Sequence, residues 1–294
     1  MKKIIILTAA LATAFLFSCQ KDPQEKSLTE EEQAIIMDDA VADNVIEATD
    51  YEVDYYSSSS DIIKGINNGG TKSSFWPRGR YHNGLGPAVT VNPVGWHFPK
   101  TITIDYGDGI QLVNGSIIMG KIIVNVTARP LTDGAAHEVT YENFFVDSVN
   151  IAGGATHTFV GTDSTERVFS SLSDLTLTFP DCTVIDRYSE RIRTLAEGFE
   201  TPFYHGDDLI LIEGFVNYRF SNGRSFIKTI IKPLTKTGAC RFITSGTVTF
   251  TLNGEEFAEL DYGDGTCDDV ATITKNGETR RITIGRRLKK FWAR

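Results

Sequence analysis

Two stretches of this chain have the composition of a site for a hard cation. Asp105-Tyr106-Gly107-Asp108-Gly109 recurs residue for residue as Asp261-Tyr262-Gly263-Asp264-Gly265, each time after a strand-like run. The carboxylates of Asp105, Asp108, Asp261 and Asp264, carried on glycine turns, have the chemistry of calcium ligands. The helix-loop-helix calcium loop, however, wants an oxygen-bearing side chain at its third position, where Gly107 and Gly263 stand, and a glutamate at its twelfth, where Ser116 and Thr272 stand. The preferred reading is a structural turn in which glycine supplies positive φ and aspartate satisfies nearby amides. No metal and no cofactor are expected.

Other chemistry is sparse. Glu197, Glu200, Asp207 and Asp208 flank a Gly/Pro/aromatic loop, and paired carboxylates in loops can hydrolyse glycosides. Acidic loop residues are ordinarily just solvated, so no catalytic residue is assigned. His82, His97, His137, His157 and His205 are scattered without ligand spacing. No nucleophile elbow, phosphate loop or zinc-protease helix motif occurs, and an enzyme is not expected. Of the four cysteines, Cys240 and Cys267 would face each other if a two-residue turn at Asn253-Gly254 kept unbroken register. Phe257 and Leu260 have opposite parity and point to a bulge in that hairpin, yet a disulfide is still expected over two free thiols. Cys182 is then odd and reads as a buried structural thiol.

The elements that must carry these residues are strands. Val248, Phe250 and Leu252 alternate with Thr247, Thr249 and Thr251, the period of a half-buried strand. The stretch from Cys240 to Ile284 reads as a meander with hairpins at Asn253-Gly254 and Asn276-Gly277. The second sets Ala271 against Ile282, Ile273 against Arg280 and Lys275 beside Glu278, with Thr272, Thr274, Arg281 and Thr283 on the wet side. Leu209 to Phe220 and Ser225 to Ile231 pair across Asn222-Gly223, which places Tyr218 opposite Ile227 and Phe215 opposite Ile230. Phe75 to Gly84 and Pro87 to Pro99 are rich in Pro and Gly and read as an irregular lead-in. The fold class is all-β, an antiparallel sandwich or meander built from hairpins.

The N-terminal region is different. One helix is expected at about 29–48: Thr29 and Glu32 form a capping box, and Ala34, Met37, Val41, Val45 and Ala48 fall on one stripe that would pack on the sheet. Tyr51 to Ser60 and Asn67 to Gly70 read as linker. The expected divisions are 1–18 as signal peptide, 19–73 as anchored linker with its helix, 74–162 and 163–288 as two continuous β-rich parts, and 289–294 as a basic tail. The segment from Arg280 to Arg294 carries seven basic residues and no acid.

Met1-Lys2-Lys3 followed by the uncharged run Ile4 to Phe17 has the form of an export signal and is too short to span a bilayer. Leu16-Phe17-Ser18-Cys19 resembles the bacterial lipobox, which implies that Cys19 is acylated and tethers the chain to a membrane by lipid. Removing Lys2 and Lys3 takes the formal charge from −9 to −11, and nucleic acid is not an expected partner. Gln20-Lys21-Asp22-Pro23-Gln24-Glu25 resembles the charged address that follows the lipidated cysteine in surface lipoproteins of the Bacteroidota. Phe98 to Gly109, Gly120 to Val124, Tyr141-Glu142-Asn143, Phe179-Pro180, Cys240-Arg241 and Asp261 to Asp268 resemble a family of Bacteroidota cell-envelope lipoproteins over roughly residues 95–285. The short turn alone is also similar to one in polycystic-kidney-disease-type sandwich modules. The lipoprotein resemblance implies an outer-membrane, surface-exposed, β-rich protein and brings no activity. The expected role is non-enzymatic adhesion or envelope interaction with a glycan or protein partner. The alternative is glycan capture beside a nutrient-uptake system, with Trp76, Tyr81 and Trp96 as stacking faces.

Overall fold

The computed structural model describes residues 27–58, 81–82, 86–112, 115–162, 166–201 and 205–284. Cys19, Trp76 and the basic tail lie outside the described residues. The first element is a long helix, α1 (Glu30–Ser58). The strands that follow are β1 (Ala88–Asn92), β2 (Lys100–Asp105), β3 (Ile110–Gln111), β4 (Ile117–Val126) and β5 (Ala136–Val146). Next come β6 (Val149–Thr162), β7 (Arg167–Thr178), β8 (Val184–Glu197), β9 (Leu209–Phe220) and β10 (Ser225–Thr237). The chain closes with β11 (Ile243–Leu252), β12 (Glu255–Asp264), β13 (Val270–Lys275) and β14 (Glu278–Thr283).

All fourteen belong to one antiparallel sheet in which neighbours in sequence are neighbours in space, with the short β3 set aside on β4. Of the two all-β architectures, this is the meander: a single continuous sheet, not two stacked ones. β6 and β7, on either side of residues 162 and 163, pair from Asn150↔Thr178 to Thr162↔Arg167. Ala88 to Asn92, inside the stretch expected to be irregular, pairs in register with β2 and is the sheet's first strand. The proline that ends it, Pro93, falls just beyond the ladder, where no backbone donor is missed.

Local signals account for the hairpins. At Asn253-Gly254 and Asn276-Gly277 all four residues have positive φ, as a two-residue primed turn demands. The last hairpin keeps the expected register throughout, Ala271↔Ile282 to Lys275↔Glu278. The hairpin at Asn222-Gly223 does not. Its partners are Phe226↔Tyr218 and Ile227↔Asn217, one residue away from the two-residue-turn register. Phe220 and Arg224 close a three-residue loop in which only Gly223 takes positive φ. Packing explains the slip. It sends Tyr218 and Phe226 to the same buried face, their rings stacked at 4.5 Å, and leaves Ile227 outside.

The helix differs most from expectation. It begins with the capping box as read, Glu32 N–H donating to Thr29 Oγ1 (3.1 Å) and Thr29 N–H to Glu32 (2.8 Å). It does not stop near 48 but runs ten residues further, through the tyrosines and into the serine run. From Ile35 to Ser57 every residue is buried except Met37, Ala48 and Asp54, which are half-buried. Side chains of α1 reach partners on β5, β6, β8, β10, β12 and β13, so the sheet must curl around the helix. Ile36, Val41, Val45, Ile46 and Val53 meet the inward faces of the strands in one continuous hydrophobic core. The outer face of the sheet is dominated by Thr, Asp, Glu and Asn.

Candidate functional site

A helix buried on all sides is normally apolar on all sides. This one carries Asp39, Asp43, Glu47, Asp50 and Asp54, spaced so that they form one ridge along its length. Opposite stand basic residues on inward-facing strand positions: Arg187, Arg191 and Arg193 on β8, and Lys228 on β10. Lys228 binds Asp39 at 2.8 Å and also contacts Asp43. Arg187 lies 3.5 Å from Asp43 and is held by Tyr218, Ser173 and Ser189. Arg191 and Arg193 each donate to Glu47 at 2.7 Å, and both also pair with Asp50. Arg193 extends to Asp54 at 3.7 Å. Burying one ion alone costs several kcal/mol, so the ridge and its opposing cations make sense only as a unit.

The rungs are not equivalent. Burial pushes the Asp39 carboxyl up to about 6, with Lys228 opposing and Asp43 adding to the rise. Burial also works against Glu47, but Arg193 and Arg191 outweigh it and hold that carboxyl down at about 2. At the far end, His137 and His157 face each other across β5 and β6. Burial, with His157 adding, lowers His137 to about 3, and its Nδ1 lies 3.0 Å from the Ser57 hydroxyl.

That histidine gives a pH dependence whose sign is fixed. An unfolded chain protonates His137 near pH 6.5 while the folded one resists to about 3. Its contribution is therefore complete above pH 6.5 and is lost as the pH falls toward 3. The stability advantage of wild type over His137→Gln, measured by urea titration, should shrink steadily between pH 7 and pH 4. An advantage that stays constant over this range would contradict the assignment.

The duplicated turn serves the same helix. In both copies the first aspartate accepts the amide of the glycine two residues on, Asp105 from Gly107 at 2.9 Å and Asp261 from Gly263 at 2.8 Å. In both, the tyrosine points inward: Tyr106 donates to Glu52, and Tyr262 donates to Asp43 at 3.4 Å. Burial, then the Asp43 charge, keeps the Tyr262 phenol protonated and able to donate. Asp264 is engaged by Thr266, and Asp108 is exposed. Among the described residues, no group of three or more His, Cys, Asp or Glu side chains is placed to hold a metal ion.

Cys240 and Cys267 form a disulfide. The register that pointed to it does not reach it: β11 and β12 slip at Phe257 and again near Gly246, and both cysteines lie beyond the strand ends. Arg241 beside it binds Asp147 in the β5–β6 turn, which itself caps the Ile117 amide at 3.0 Å. Cys182, expected to be buried, is an exposed free thiol in the β7–β8 turn, at positive φ.

Of the aromatic residues singled out for stacking, Trp76 lies outside the described residues, and Tyr81 and Trp96 stand in different settings. Tyr81 is buried, its hydroxyl shared between Tyr56 at 2.7 Å and Glu52 at 2.9 Å. Trp96 is 44% exposed in the β1–β2 loop with the Arg129 guanidinium 4.9 Å over its ring. Of the loop carboxylates, Asp207 accepts from Thr201 at 2.8 Å, Asp208 is buried, and Glu197 and Glu200 are exposed.

A different surface has the form of a binding site. A groove of about 630 Å³ crosses the outer face of β7 to β11. Its floor is a cross-strand row in which Asp174 stands opposite Tyr188, Tyr188 opposite Asn217, Asn217 opposite Ile227, and Ile227 opposite Thr251. A parallel row brings Asp186 beside Arg219 and Ser225, with Asp186 accepting from Thr176 at 2.9 Å. No sequence motif marks these residues. Their signal is outward parity on adjacent strands, which needs the correct registers to be seen.

These elements define an antiparallel up-and-down sheet wrapped around an acidic helix, with a polar and aromatic groove on its outer wall. No family model, curated protein or solved structure matches the chain.

Proposed function

We propose that this protein is a lipid-anchored, non-enzymatic binding protein of the bacterial outer-membrane surface, and that the groove across β7 to β11 takes a glycan. The observation that carries the reading is the row Asp174, Tyr188, Asn217 and Ile227 with Asp186 and Arg219 beside it. A pyranose ring offers an apolar C–H face and paired hydroxyls. The Tyr188 ring and Ile227 suit the face, while carboxylate, amide and guanidinium suit the hydroxyls. The groove's volume has room for more than one sugar. The clustered acids inside the sheet are engaged by Arg187, Arg191, Arg193 and Lys228, which supports structural and not catalytic work for them. The anchor rests on the uncharged run ending in Leu16-Phe17-Ser18-Cys19 and on the charged residues after it.

A glycan array probed with the full chain should give binding that Tyr188→Ala and Asn217→Ala each weaken by about fivefold or more and Trp96→Ala leaves intact. Each groove substitution removes a stacking face or a hydrogen bond worth roughly 1 kcal/mol or more. Binding indifferent to Tyr188, or an empty array beside retained adhesion to a protein-coated surface, would return the reading to adhesion. Labelled palmitate should attach to wild type and not to Cys19→Ala.

A further inference from the structure

We propose a second, unrelated site: a small pocket at the C-terminal end of α1 that binds a compact zwitterion of the size of glycine or alanine. The pocket, about 80 Å³, lies between the helix end and β6 to β9. That is roughly the space of two or three waters, or of a solute of five or six heavy atoms. Phe169, Leu195 and Phe199 supply apolar walls, so the polar groups among them stand in a low-dielectric setting.

Those polar groups form two charge pairs and one unspent histidine. Arg193 faces Asp54 at 3.7 Å. Arg167 donates to the Phe199 carbonyl at 3.1 Å, lies 5.4 Å over that ring and feels the Asp208 charge. His157 is 2% exposed, and neither of its ring nitrogens has a hydrogen-bond partner; its Nε2 lies 3.7 Å from Asp50. Arg193 Nη2 also lacks a hydrogen-bond partner. Buried polar atoms of this kind are rare in folded proteins, and a bound molecule is one of the few things that satisfies them.

Charge balance selects the ligand. Among the residues lining the pocket, Arg167 and Arg193 stand against Asp54 and Asp208, so a lone anion would leave an uncompensated negative charge between the apolar walls. A lone cation would leave an uncompensated positive charge beside two guanidinium groups. A zwitterion adds no net charge: its carboxylate accepts from Arg193 Nη2 and His157, and its ammonium donates to Asp54, the least buried of the acids on the ridge.

The test is calorimetric titration and thermal shift on the full chain in detergent, with alanine, acetate and ethylamine as separate probes. Alanine should bind and raise Tm while acetate and ethylamine, at the same concentrations, do neither. Leu195→Trp fills the pocket without touching a charge and should abolish the binding. Asp54→Asn, at the half-buried position that takes the ammonium, should weaken it by about tenfold, the equivalent of one charged interaction lost. Acetate binding as tightly as alanine would overturn the zwitterion assignment. No alanine binding, or binding unchanged in Leu195→Trp, would overturn the site.

Discussion

Glu47→Ala should destabilise the folded protein by about 3–5 kcal/mol at neutral pH, the range for removing one partner from a buried ion pair. Glu47 receives hydrogen bonds from both Arg191 and Arg193, which are themselves buried. Without it, two guanidinium groups remain in the interior with only Asp50 and Asp54 to balance them. The fall of its carboxyl from 4.5 to about 2 corresponds to roughly 3 kcal/mol of stability, since each pH unit is worth 1.36 kcal/mol. That stability is present above pH 4.5 and lost as the pH drops toward 2. The opposite behaviour is expected about two helical turns earlier. Burial holds Asp39 up to about 6, so its charged form is the costly one in the fold. Asp39→Asn should therefore cost less than about 1 kcal/mol at pH 8, or stabilise, because Lys228 keeps Asp43. Guanidinium denaturation of both variants checks the pair of signs together. Equal losses in the two would mean that the ridge is not a graded structure.

Cys240→Ser with Cys267→Ser should cost roughly 3–4 kcal/mol, the chain-entropy value for a closed loop spanning 27 residues. The loop enclosed is the β11–β12 hairpin, whose Tyr262 sits on Asp43. Loss of the crosslink should thus be felt mainly in the C-terminal strands, and reduction of wild type by a thiol reagent should reproduce the shift in denaturation midpoint seen for the double substitution. If reduction leaves the midpoint unmoved while the double serine variant falls, the loss belongs to the serines and not to the crosslink.

What the residues disclosed in advance depended on how local the determining contact is. The hairpin at Asn276-Gly277, the capping box at Thr29 and the duplicated turn are set within a few residues, and each has the local form read from it. The hairpin at Asn222-Gly223 has the same dipeptide but a different loop, because the preference of Tyr218 and Phe226 for one buried face outweighs the turn. The helix end was hidden for the same reason. Tyr51 to Ser58 is poor helix composition taken alone, yet Tyr56 and Ser57 are fixed by Tyr81 and His137, far along the chain. The charge ladder had a legible half-signal: five acids at helical spacing, and Arg187, Arg191 and Arg193 at the parity of buried Ile185. Their partnership spans about 144 residues of chain and cannot be read from either segment by itself.

Hydrogen exchange of the α1 amides tests the central claim, that the charged helix is the core around which the sheet is wrapped. On the full chain at neutral pH, amides from Ile35 to Ser57 should exchange as slowly as those of β7 to β9, through global unfolding alone. Exchange of these amides within seconds, while β7 to β9 remain protected, would show a helix lying outside the fold and would contradict the account.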